Sequence, residues 1–126
     1  MKYTTAINTK HQQANIVSDG IKYQYVTTFS TEATEYVIVS DGDIFYCFPS
    51  AHIKEDGNLE FTFRISRYST IWAPTLETCI KAAISYSIHI FMNYHGYSLE
   101  DIMKASHEYT TAWRRAQDEY LQGTKA

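Results

Sequence analysis

Cysteine and proline are scarce in this chain of 126 residues, which holds two of each and only five glycines. Cys47 and Cys79 are too few for the dense disulfide framework of a small secreted scaffold. The expectation is two buried free thiols in a reducing compartment, the cytoplasm. With so little proline and no low-complexity tract, the chain does not read as a linker or a disordered tail. No stretch is long and apolar enough to cross a membrane, and the amino-terminal residues lack a signal-peptide pattern. Basic residues are not in excess. The formal charge of −3 gives no electrostatic reason to expect nucleic acid as a partner.

Signatures of catalysis are missing too. There is no Gly-x-Ser-x-Gly elbow and no cysteine in an activating context. His89 and His95 lie six residues apart, which puts them on different faces of a helix, unlike the i, i+4 pair of a helical zinc site. Neither cysteine has a histidine or second cysteine at ligand spacing. The expectation is a protein without catalytic residues, metal or cofactor. A site shared between subunits would, however, leave no trace in a single chain.

Three of the glycines follow an aspartate, at Asp19-Gly20, Asp41-Gly42 and Asp56-Gly57. None has a second glycine nearby or leads into a helical pattern, so none is a phosphate cradle. Asp41 and Asp43 are followed by an apolar run and not by the further ligands a calcium loop requires. Asp-Gly accepts the positive φ angles of a two-residue type I′ hairpin turn. Around Asp41-Gly42 that turn sets Val39 opposite Ile44, Ile38 opposite Phe45 and Val37 opposite Tyr46. The repeated Val-Ser-Asp-Gly is thus read as a repeated corner.

The pattern predicts an α+β fold in a single domain, 1–126. An antiparallel β-meander of four to five strands (roughly 12–18, 21–29, 35–40, 43–50 and 58–67) is followed by two C-terminal α-helices packed on one sheet face. The helices are expected at about 75–95 and 98–122, with a loose tail at 123–126. Thr75 and Gly96 are start and stop signals for the first, and Ser98 with Asp101 a capping-box-like start for the second. The second helix carries one apolar stripe, which includes Leu99, Ile102, Met103 and Trp113. The first is apolar nearly all round and so is expected to be covered on more than one side. In the central hairpin both faces are apolar, with Val37, Val39, Ile44 and Tyr46 on one and Tyr36, Ile38, Phe45 and Cys47 on the other. Two helices cover one face, and nothing left in the sequence is an obvious cover for the second. Either the sheet curls around its own core or, the favoured expectation, the second face meets a partner or another copy.

Eleven tyrosines, well above ordinary usage, support the same reading, since a phenol is an apolar ring with a polar tip. The candidate binding residues are Tyr23, Tyr25 and Tyr36 on the strands, and Arg64, Arg67, Tyr68 and Trp72 in the "FRISRYSTIW" stretch. Strand alternation would set Arg64 and Arg67 on opposite sheet faces, where interface arginines stand beside aromatics or pair with Glu32, Glu35 or Asp43. The functional expectation is a non-enzymatic binding protein, an inhibitor or adaptor. Its style is that of phage or mobile-element accessory proteins, including those that inhibit host defence. The alternative is an oligomeric binder of a small anionic or nucleotide-like ligand, or a small enzyme, with tyrosines and Arg64 or Arg67 in a site between subunits.

Overall fold

The computed structural model describes residues 2–32 and 34–124. Its elements run β1 Tyr3–Ala6, α1 Thr9–Gln13, β2 Ile16–Ser18, β3 Ile21–Thr31, β4 Glu35–Ser40, β5 Phe45–Pro49, β6 Ile71–Ala73, α2 Leu76–Tyr94 and α3 Leu99–Thr124. All strand pairs are antiparallel, in the order β1-β3-β4-β5-β6, with β2 pairing the first part of β3 off this path. The expected α+β architecture is what the chain adopts, a meander followed by two helices on the sheet.

Local chemistry explains most boundaries. At Asp19-Gly20 both φ angles are positive, +49° and +79°, and Ser18 pairs with Ile21, as a type I′ corner requires. The second corner departs from expectation. Ser40 pairs with Phe45 and Val39 with Tyr46, so the connection spans four residues, Asp41 to Ile44. The Asp41 carboxylate accepts from the N–H groups of Asp43 and Ile44, at 2.9 and 3.0 Å, and this side-chain turn outcompetes the tighter one. The register moves by two residues, an even number, so every side chain keeps its predicted face. Thr75 and Thr78 form a capping box at the start of α2. Its end is a Schellman motif: Tyr97 N–H donates to Met92 C=O, Gly96 N–H donates to Asn93 C=O, and Gly96 has φ +79°. Ser98 Oγ accepts from Asp101 N–H and opens α3. That helix runs to Thr124, past the expected end, and residues 125–126 of the expected tail lie outside the described residues.

Two expectations fail at the ends of the sheet. Residues 12–15 are not strand, and the edge is formed by β1, which four exposed residues without apolar alternation did not announce. Residues 58–67 do not pair as a strand either; Ile53 and Leu59 form an isolated bridge, and β6 is the true neighbour of β5. Side chains compete for the backbone here: Ser69 Oγ and Thr70 Oγ1 both donate to Arg64 C=O, and Asp56 Oδ1 accepts from Asn58 N–H.

That irregular segment, 50–70, settles the second face. Ile65 is buried there against Ile16, Tyr23, Val37, Val39, Ile44, Tyr46, Phe48 and Trp72, with Ile53, Leu59 and Phe63 packed around them. The expectation that nothing in the chain covers this face is therefore wrong. The opposite face meets the helices, with Phe29, Tyr36, Ile38, Cys47 and Ala73 against Cys79, Ala83, Ile84 and Ile88. Phe29 reaches that side because β3 bulges between Tyr25 and Thr27, the extra residue flipping the alternation. Both cysteines are free and buried. The hydrogen bond to Cys79 and then burial push the Cys47 thiol well above its ordinary value, so it is no nucleophile at neutral pH.

Burial, first among the causes, also raises the phenols of Tyr23, Tyr36 and Tyr46. Their contribution to stability is complete below the ordinary phenol value near 10 and is lost as pH rises through the raised native values, because the unfolded chain ionises first. Alkaline titration followed by phenolate absorbance is expected to show three of the eleven tyrosines ionising only as the fold opens, where denatured protein gives one simple curve.

Candidate functional site

The seven candidate residues do not share one surface. Tyr36 is fully buried and accepts from Ser87 Oγ at 3.3 Å. Tyr23 is buried and donates to Ile65 C=O at 3.5 Å. Tyr25 is half-buried, and its oxygen accepts from Asn8 N–H at 2.9 Å. These phenols seal the fold, and Tyr36 is out of a partner's reach. Alternation shows which residues share a face, not whether something lies on it.

Arg67 and Trp72 are brought together. The guanidinium lies 5.4 Å from the Trp72 ring and 5.5 Å from the Tyr120 ring, and 3.7 Å from Asp43. Tyr120, from the last turns of α3, also donates to Asp43. Of the acids expected to pair with the arginines, Asp43 is the one Arg67 uses. Around β6, Trp113 Nε1 and Gln117 Nε2 both donate to Trp72 C=O at 2.8 Å. The cluster therefore ties the 50–70 segment and the edge strand to α3, and its cation is already satisfied. Arg64 pairs instead with Asp19 of the first corner, an acid not anticipated. With no strand at 64–67, opposite-face placement of the two arginines does not apply.

What remains accessible is smaller and different. Tyr68 is wholly exposed, at 101%, in a turn where Thr70 N–H donates to Ser66 C=O. Phe61, unnoticed in the sequence, is 95% exposed. Arg64 lies between them in the chain, and a shallow depression of about 330 Å³ is lined by Phe61, Phe63, Leu59, Val17 and Arg64. Phe61 belongs to an alternating run (Leu59, Phe61, Phe63, Ile65) and so reads as core; only the failed strand leaves it outside.

Two other surfaces stand out. A polar cleft of about 610 Å³ is lined by Gln12, Gln13, Asn15, Lys22, Gln24 and Asp41 and by the predicted Tyr23 and Tyr25, but not by Arg64 or Arg67. The α2–α3 hairpin end is apolar, with Ile90, Phe91, Tyr94, Tyr97, Leu99 and Met103 all exposed. Leu99 and Met103 thus leave the buried stripe expected of them, and α2 is not covered all round. Among the described residues no group of three or more His, Cys, Asp or Glu is placed to hold a metal ion, and no helix is long and apolar enough to cross a membrane. Set beside known proteins, the chain matches no family model, no curated protein and no solved structure.

Proposed function

We propose that this chain is a non-enzymatic binding protein, an inhibitor or adaptor, which contacts another protein through the outer surface of the 50–70 segment. The observation that carries the reading is the pair of aromatic side chains, Phe61 and Tyr68, held almost wholly in water on either side of Arg64 in the sequence. Exposed rings of this size are costly in a soluble chain and are the residue types that dominate binding energy at interfaces. The segment beneath them is anchored by Ile65, so the rings are presented from a fixed base. Small size, acidity and lack of catalytic motifs suit an accessory protein of a phage or mobile element that acts by occupying a host protein.

Pull-down with the purified protein from a lysate of its source cell, quantified by mass spectrometry, tests this. The variant Phe61→Ser/Tyr68→Ser is expected to melt like the parent and to lose its specific partner by roughly 30-fold or more, as for removal of a hot spot. An unchanged set of captured proteins would overturn the reading.

The polar cleft supports a second reading, a small-molecule binder. Its carboxamides and single lysine suit a polar ligand better than the arginine-held anion expected from sequence. A ligand at a hundred times its dissociation constant is expected to stabilise the fold by about 2.7 kcal/mol, visible as a rise in Tm. A screen of nucleotides and sugars that leaves Tm unmoved removes this reading.

A further inference from the structure

α2 and α3 meet in a turn where every residue from Asn93 to Asp101 is exposed. Polar residues would be expected at such a turn. Instead Tyr94 is 85% exposed, Leu99 69% and Met103 58%, with Ile90, Phe91 and Tyr97 between 41% and 52%. They border two depressions: Leu99 and Met103 lie with Glu100, Lys104 and His107, whereas Phe91 and Tyr97 lie with Thr31, Glu32 and Tyr109.

We propose that a second copy of this chain covers this end, α3 packing antiparallel on α3 about a two-fold axis beside Met103. Two features select a second copy over a foreign partner. The apolar trench on α3 runs between two i, i+4 rows, Leu99-Met103-His107 and Glu100-Lys104, the groove into which a matching helix ridge fits. The charges are self-complementary: Glu100 and Lys104 pair along the helix at 3.4 Å, both mostly exposed. A two-fold axis at Met103 sets each Met103 on its copy, Leu99 beside the second copy's His107, and Glu100 about 3 Å along the axis from the second copy's Lys104, at 1.5 Å per residue. This surface is separate from Phe61 and Tyr68, so a dimer presents both aromatic pairs at once.

Sedimentation equilibrium of the full chain across a wide concentration range provides the test. The parent is expected to show a two-chain mass. Met103→Lys places like charges on the axis and is expected to weaken association at least about a hundredfold, with the circular dichroism of the folded chain retained. Glu100→Lys and Lys104→Glu are each expected to weaken it, and the double variant to restore it; a merely intrahelical pair would leave the mass unchanged in all three. A single-chain mass at every concentration, or a dimer indifferent to Met103→Lys, overturns the inference and leaves this end to a foreign chain. Neither outcome bears on the Phe61 and Tyr68 variants, whose failure would be seen in the pull-down.

Discussion

Replacing Ile65 by alanine is expected to lower the free energy of unfolding by about 2–5 kcal/mol, the range for deleting a large aliphatic side chain from a packed core. The size of that loss depends on what closes the second face of the sheet. Ile65 is 3% exposed and sits among Val37, Val39 and Phe48, which are themselves out of water. Its backbone is held from both sides: the N–H donates to Ser18 Oγ at 3.0 Å, and the C=O accepts from Tyr23. A segment pinned in this way cannot collapse freely into the cavity, which places the cost above the minimum. Chemical denaturation of Ile65→Ala beside Phe61→Ala checks it. Phe61 is 95% exposed, and its replacement is expected to change stability by no more than about 0.5 kcal/mol. If Ile65→Ala were equally silent, the face would have to be closed by another molecule, and the sequence-based expectation would be restored.

The two substitutions also mark what the sequence could show. Leu59, Phe61, Phe63 and Ile65 alternate as a strand does, and the pattern alone gives all four equal standing. The structure separates them because Ser66, Ser69 and Thr70 divert the backbone, so one of the four becomes a core residue and another a surface ring. Where apolar periodicity and local capping agreed, as in β4, α2 and the start of α3, the elements fall within a residue or so of expectation. Where side chains compete with the ladder for backbone partners, period alone misleads. The candidate site suffered more than the fold. Strand tyrosines look alike in the sequence whether a segment folds over them, as over Tyr23, or a helix does, as over Tyr36. The apolar end of the α2–α3 hairpin was not legible, because the stripe groups Leu99 and Met103 with the buried residues of α3.

The glycine of the third Asp-Gly pair carries a different constraint from the first two. Gly57→Ala is expected to cost about 2–4 kcal/mol, combining a left-handed backbone angle with overpacking. Its φ is +87°, a region that side-chain-bearing residues rarely occupy, and a Cβ there would stand 2.8 Å from the Cβ of Ala14. Neither atom can rotate away, so backbone must move, and the backbone concerned is the 54–58 turn held by Lys54 N–H to Asn58 C=O at 2.7 Å. Gly20 supplies the control: φ is +79°, but nothing lies within 4 Å of its added Cβ. Gly20→Ala is therefore expected to lose only the conformational part, about 1–2 kcal/mol. Adding Ala14→Gly to Gly57→Ala should recover the clash and leave the angular cost, a coupling readable in a double-mutant cycle. Ala14 precedes β2 and Gly57 lies in the cap, so that coupling measures directly how the amino-terminal segment and the 50–70 segment close on one another over the sheet. If Gly57→Ala lost no more than Gly20→Ala, the contact with Ala14 would be absent in solution, and the base from which Phe61 and Tyr68 are presented would be looser than the structure shows.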